Sequence, residues 1–203
     1  MGKNIGLIPL GFTEIWSASF NSAIIISAGD NAEFIAFCGI NLDITIFNKE
    51  NVYLPAFLKT YPFLNVEVEN KDKKVNSLIA IDNNPKYVAK DKKIFILDKE
   101  KNLSKQTASK VELIKELNSQ RAVCRRIIAE LKKLDLLIKK DLRVKIEGKE
   151  EKVILEEFYV INIEKLLKLD DKIIASFAKK GWMGIFDAHL KSISNFEKIL
   201  KAN

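Results

Sequence analysis

A helical pattern in the middle of the chain constrains the fold most, because its apolar residues return every three or four positions. Ser109 and Glu112 form an S-x-x-E capping box, in which each side chain can bond the other's free backbone N–H. A dimerising coiled coil is the alternative, but Gln120 at a seam position and the short repeat favour a core-facing helix. The predicted helix begins near Ser109 and has this apolar face: Leu113, Leu117, Cys124, Ile127, Leu131, Leu134 and Ile138.

The segment before this helix is typical of short β-strands. A β-branched run ends at the turn signal Gly29-Asp30-Asn31, and further apolar or alternating runs follow after short gaps. These runs predict two hairpins or, as the fold we expect, a small antiparallel meander. Residues 94–97 are either a last short strand or an apolar peg. The predicted strands are residues 23–27, 33–39, 42–47, 66–68 and 78–82.

Pro55 and Pro62 bracket a predicted short helix, since proline suits a first helical turn and disfavours helix in the residue before it. After the long helix, residues 142–146 and 153–161 alternate in the manner of a β-hairpin. A short helical stretch, residues 163–169, comes next. Asp170-Asp171 and Gly181 are cap candidates for a helix over residues 172–180. The pattern as a whole predicts an α+β protein.

The last predicted helix, residues 181–200, contains the chain's only histidine. A histidine on an apolar face is usually a hydrogen-bonded core residue, and this is the structural interpretation of His189. The functional interpretation makes His189 a general base or a metal ligand in a pocket beside the helix, with Ser192 one turn away. The sequence identifies no third catalytic group. His189 shares its stripe with Trp182, Ile185, Phe186, Ile193, Phe196 and Leu200.

Composition limits the classes of function. The net charge of +7 comes from 34 basic and 27 acidic residues, and the mixed charges favour a solvated surface over a nucleic-acid site, which is the weakest alternative. Cys38 and Cys124 lack a metal-ligand spacing, so we predict buried thiols, no metal site and a reducing cytoplasm. No run approaches the ~20 apolar residues of a membrane span, and the N-terminus does not match a signal peptide.

Two segments resemble the bacterial SapC family. Residues 53–63 read Y-L-P-A-F-L-K-T-Y-P-F and resemble the family's Y-V-P-A-Y-x-R-R-Y-P-F, with Lys59-Thr60 in place of two arginines. Residues 181–196 are similar to the family's closing G-W-x-x-x-x-x-A-H-L-x-S-L-x-N-F. The order of the intervening elements agrees as well, so the resemblance covers nearly the whole chain.

The resemblance implies a protein associated with the genes for bacterial surface-layer proteins and their export, with no established activity or cofactor. We expect one domain over residues 1–203, which the patterns subdivide into a β-rich part, 1–100, and a helix–hairpin–helix part, 101–203. We predict a cytoplasmic accessory protein, able to associate with the surface layer, that binds an exported protein or its export machinery. The alternative is an enzyme that modifies an exported protein or a small metabolite near His189. The predicted binding residues are Tyr53, Pro55, Lys59, Tyr61, Pro62, Trp182, His189, Ser192 and Asn195.

Overall fold

A computed structural model describes residues 6–40, 47, 50–69, 75–82, 84, 95–144 and 151–202 and confirms the predicted α+β class. The chain forms two compact units. The core unit comprises Met1–Pro55 and Gln120–Asn203, and the hairpin unit comprises Ala56–Ser119. The single domain over 1–203 and its subdivision stay a prediction.

Helices and strands alternate irregularly along the chain. The predicted strand at residues 42–47 lies outside the described residues except for Phe47. In chain order the elements are β1 (Gly6–Pro9), a 3-10 turn (Phe12–Glu14), α1 (Ile15–Ala18), β2 (Ala23–Ile26), β3 (Phe34–Gly39), α2 (Ala56–Thr60), β4 (Phe63–Glu69), β5 (Val75–Ile81), α3 (Lys105–Lys133), β6 (Leu137–Val144), β7 (Lys152–Ile161), α4 (Ile163–Leu166), α5 (Asp171–Lys179), α6 (Trp182–Ser192) and α7 (Asn195–Ala202).

The core unit contains an antiparallel sheet in the strand order β1–β3–β2–β7–β6. β2 and β3 pair from Ala23 opposite Phe37 to Ile26 opposite Phe34, and β6 pairs with β7 as the predicted hairpin. Within the described residues, β2 pairs with β7 only where Ile26 lies opposite Tyr159. Backbone groups that face the gap beyond this pair need other partners, because a buried N–H is rarely left unbonded.

One apolar cluster of the core unit forms between the sheet and α7. β2 is buried along its whole length, as its β-branched sequence predicts. Phe37 packs against Phe196 of α7 with 5.2 Å between ring centroids, and Ala23, Ile25, Phe158 and Ile199 complete the cluster. A second buried stripe comes from the C-terminal half of α3: Cys124, Ile127, Ile128 and Leu131.

The predicted start of α3 at Ser109 is wrong by about one turn. The helix begins at Lys105, because Ser104 supplies an earlier cap whose hydroxyl accepts a hydrogen bond from the Thr107 N–H at 3.2 Å. Ser109 lies inside the helix, where its hydroxyl donates to the Lys105 carbonyl. At the other end, Ile138 belongs to β6 rather than to the helix.

The predicted last helix is two helices, α6 and α7, separated at residues 193–194. Ser192 donates its hydroxyl proton to the carbonyl of His189 at 2.6 Å, and Ser194 donates to the carbonyl of Lys191 at 3.0 Å. Serine hydroxyls compete with the backbone for such carbonyls and favour helix ends. The regular spacing of the apolar residues did not reveal this break.

The caps predicted around α5 are confirmed. Asp170 accepts a hydrogen bond from the Lys172 N–H at 2.8 Å, and Gly181 follows the helix with a φ of +72°, which favours glycine. In the hairpin unit, α2 directly follows Pro55. β4 and β5 pair antiparallel from Phe63 opposite Ile81 onward, as predicted.

Candidate functional site

Three polar residues of the C-terminal motif bond backbone groups at the gap between β2 and β7 and at the turn before β2. α6 contacts both strands there, and its buried face carries His189 and Ser192, while Asn195 opens α7. All three side chains are almost completely withdrawn from solvent. Each of them bonds a backbone group of the strands or of the turn that leads into β2.

His189 satisfies the open N–H of β7. Its Nε2 accepts a hydrogen bond from the Ile161 N–H at 3.1 Å, so the ring is neutral and carries its proton on Nδ1. Nδ1 is buried and has no hydrogen-bond partner among the described residues. Complete burial lowers the pKa of His189 to about 4, and the Ile24 backbone opposes this shift more weakly.

Ser192 satisfies the open N–H of β2. Its Oγ accepts a hydrogen bond from the Ile24 N–H at 2.9 Å and donates its proton to the carbonyl of His189. The hydroxyl is therefore engaged both as donor and as acceptor. Ser192 and His189 together bond the two strands where β2 and β7 do not bond each other.

Asn195 anchors the turn between α1 and β2. Its Nδ2 donates to the carbonyl of Ser19 at 2.7 Å and to that of Ser22 at 3.1 Å. Its Oδ1 accepts from the Lys198 ammonium at 3.4 Å. Both donated bonds cross more than 170 residues of sequence, so Asn195 fixes an N-terminal turn to the last helix.

Trp182, at the start of α6, is held by α5. Its ring stacks on Phe177 with 5.5 Å between centroids and an interplanar angle of 27°. The ammonium of Lys180 lies 4.6 Å from the Trp182 ring centroid. Trp182 is two helical turns before His189, and these two contacts are with Phe177 of α5 and with Lys180 directly after it.

Tyr53 belongs to a separate polar group of the core unit. Its hydroxyl donates to Glu14 at 3.0 Å, and Glu14 also accepts from the Gly11 N–H at 2.8 Å. Burial, followed by the Glu14 charge, raises the pKa of Tyr53. Pro55, two residues later, is buried at the end of this unit.

The other predicted binding residues lie in the hairpin unit. The hydroxyl of Tyr61 donates to Asp82, and this bond lowers the pKa of that carboxyl. The ammonium of Lys110 bonds the carbonyls of Lys59 and Tyr61, at 2.6 and 2.9 Å. The side chain of Lys59 is itself exposed, and Pro62 follows Tyr61 through a cis peptide bond.

The comparison with known proteins identifies one family. The family model described as SapC matches residues 1–199. The chain belongs to the SapC family. No curated protein and no solved structure matches it significantly. Both segments on which the resemblance rested lie inside the matched range, so the contacts of His189, Ser192 and Asn195 are contacts of a SapC motif.

The SapC motif residues form no complete catalytic arrangement in the part of the chain that the structure describes. A serine nucleophile needs a base that can take its proton, but the Ser192 hydroxyl donates to a carbonyl and the His189 Nε2 accepts from a backbone N–H. Burial raises the pKa of Cys38 to about 11 and that of Cys124 to about 12, so both thiols stay protonated at neutral pH. The described residues contain no metal-binding group of three or more His, Cys, Asp or Glu side chains. That the predicted binding residues form one binding site remains a prediction.

Sequence reasoning missed two clusters in the core unit. Arg121 makes two hydrogen bonds to Glu33, at 3.1 and 2.7 Å, and these residues are 88 positions apart. The second is an exposed cluster in which Lys191 lies over two aromatic rings, those of Trp16 and Phe20. Only the spacing of Trp16 and Phe20, four residues apart, could have signalled the second cluster.

The depressed pKa of His189 predicts acid-sensitive stability. An unfolded chain binds a proton at about pH 6.5 whereas the folded chain does so at about 4, so the unfolded state binds more protons between these values. We expect the free energy of unfolding to fall by up to roughly 3 kcal/mol as the pH drops from 6.5 to 4. Urea titrations across this range measure the loss. The non-titrating variant His189→Gln is the control and should lack this component; an identical pH profile in both proteins contradicts the prediction.

Proposed function

We propose that this SapC protein is an accessory of surface-layer protein production or export, and that it acts by binding a protein partner. The family supports the surface-layer context. The partner is an exported or surface-layer protein, or a component of its export machinery. No helix among the described residues has both the length and the apolar character to cross a membrane.

One observation carries the choice of binding over catalysis. The Nε2 of His189, the Oγ of Ser192 and the Nδ2 of Asn195, three polar groups of the closing motif, each bond the protein's own backbone. Such contacts stabilise the fold. They leave no nucleophile with a free general base next to it among these residues. A motif of this kind supports a protein whose surface, rather than a reactive pocket, is its working part.

The proposal places the protein in the cytoplasm, before the exported partner leaves the cell. Cys38 and Cys124 are both free and buried, which suits a reducing compartment. Cell fractionation tests the location: recovery with the cytosolic fraction is the expected result. Recovery only with the cell envelope or the medium would contradict the cytoplasmic placement.

A gene deletion tests the function. We expect the deletion strain to carry less surface-layer protein on its surface while the transcript of that protein is unchanged. The strain complemented with the wild-type gene is the matched control and should recover the layer. Normal export and assembly of the layer in the deletion strain would overturn the proposal.

A further inference from the structure

An exposed aromatic pair lies beside the turn that Asn195 anchors. Trp16 of α1 is 48% exposed, and Phe20, in the turn after it, is 52% exposed. Their rings meet edge to face with 6.1 Å between centroids. The ammonium of Lys191 lies 4.4 Å from the Phe20 centroid and 5.9 Å from the Trp16 centroid. We call Trp16, Phe20 and Lys191 the aromatic–lysine surface.

The fold does not need these two rings for its core. α1 docks through Ile15 and Ala18, both of which are buried. A large aromatic ring that stays half exposed leaves apolar area in water, and exposed aromatic clusters often mark interaction sites. Trp is also among the residues that most often dominate binding energy at interfaces.

Hydrogen bonds hold the turn beneath this surface in one conformation. The Ser19 hydroxyl donates to the carbonyl of Trp16 at 2.7 Å, and the Ser22 N–H donates to the carbonyl of Ala18 at 3.0 Å. Asn195 binds the carbonyls of Ser19 and Ser22 from α7. A surface ordered in advance loses less conformational entropy when a partner binds. The C-terminal helices thus supply both the anchor, Asn195, and the cation, Lys191.

The charge of the surface indicates its partner. No carboxylate of the described residues lies within salt-bridge distance of Lys191. Its ammonium can therefore donate to a partner carboxylate, while the rings of Trp16 and Phe20 contact apolar side chains of the partner. The chain's net charge of +7 also steers acidic partners towards it. We propose that the aromatic–lysine surface docks an acidic polypeptide segment with apolar side chains next to its carboxylates. This inference rests on the proposed protein-binding function.

A lipid membrane fits the surface less well. Attraction to anionic lipid grows by about 1 kcal/mol per nearby basic residue, and this surface has a single lysine. Helices that lie in a membrane interface carry a long apolar face, whereas α1 has four residues. Anionic vesicles are therefore an arm of the test rather than the proposed partner.

The two tryptophans allow a test with an internal control. A short synthetic peptide that alternates glutamate with leucine and phenylalanine is titrated into the 15N-labelled protein. We expect saturable shifts of the Trp16 indole N–H and of the Lys191 amide, with the indole of Trp182 unmoved. The same peptide with lysine in place of glutamate should leave all three signals in place. The inference would be overturned by saturable shifts at Trp182 alone or by the absence of any saturable shift. Equal effects of the lysine peptide or of phosphatidylglycerol vesicles would overturn it as well.

Variants separate this surface from lysine-rich surface elsewhere. Trp16→Ala and Lys191→Glu should each weaken binding of the glutamate peptide by about tenfold or more. Lys179→Glu, a charge reversal on α5, is the matched control and should bind as the wild type does. Because Lys191 is exposed, circular dichroism should show an unchanged fold for its variant. Unchanged affinity in both surface variants would rule the surface out.

The deletion strain distinguishes failure of the surface from failure of the function. Complementation with Lys191→Glu should leave the surface layer depleted while the Lys179→Glu gene restores it. Full restoration by Lys191→Glu would reject the surface and keep the proposed function. If the deletion strain has a normal layer, the proposed function is wrong. The peptide titration then tests the surface independently of that function.

Discussion

His189→Ala is expected to lower the free energy of unfolding by about 3 to 5 kcal/mol. The change removes a fully buried ring from the gap between β2 and β7, and it leaves the Ile161 N–H without its acceptor. A buried donor without a partner costs about 1 to 3 kcal/mol, and the vacated volume adds to this. Since domains of this size are stable by only about 5 to 15 kcal/mol, the effect is a large share of the total. Urea denaturation followed by circular dichroism at pH 7 measures it.

Two further variants make this experiment specific. His189→Gln keeps a side-chain oxygen that can accept from Ile161, and we expect it to recover part of the loss. Asp187→Ala, at an exposed position of the same helix, should change the stability by no more than about 0.5 kcal/mol. An enzyme that uses His189 as a base predicts the opposite outcome, in which His189→Ala stays as stable as the wild type and abolishes function.

Elements whose signals are local could be predicted from the sequence. Asp170 caps the start of α5 and Gly181 follows its end, so both signals lie within two residues of the helix. The β6–β7 hairpin likewise follows from alternation in two neighbouring segments. Turn and cap chemistry acts over one or two turns of chain, so a single sequence contains it in full.

Contacts over long sequence separations could not be predicted. β2 meets β7 through Ile26 and Tyr159, and the gap beside that pair exists only in the folded sheet. The partners of His189 and Ser192 are backbone N–H groups, which every residue except proline carries. The stripe on α6 predicted a core position for His189, but no sequence pattern could identify what its ring would bond.

The break between α6 and α7 shows the same limit at shorter range. Helical periodicity continues across it, since Ile193 and Phe196 keep the spacing of the stripe. The hydroxyls of Ser192 and Ser194 end α6 by bonding its carbonyls, and serine does so only in some contexts. The break places Asn195 at the start of α7 with its amide directed to the α1–β2 turn. Thus a local irregularity creates the support of the aromatic–lysine surface.

Phe37→Ala is expected to lower the free energy of unfolding by about 3 to 5 kcal/mol, as for other large-to-small changes in a packed core. Phe37 is completely buried. Its ring packs on Phe196, and its strand neighbours are Leu7 of β1 and Ala23 of β2. Removing the ring opens a cavity where the sheet contacts α7, and the surrounding packed side chains relax only partly to fill it.

Phe20→Ala is the matched control, because it deletes the same atoms from a half-exposed position. We expect it to cost less than about 1 kcal/mol in urea denaturation while it weakens binding of the glutamate peptide. Phe37→Ala should do the reverse and leave the peptide affinity of the folded protein unchanged. Equal losses of stability from the two variants would contradict the prediction that the cluster around Phe37 contributes strongly to the stability of this unit. A loss of stability in Phe37→Ala alone and a loss of peptide affinity in Phe20→Ala alone would distinguish a residue that stabilises the fold from one that binds the partner.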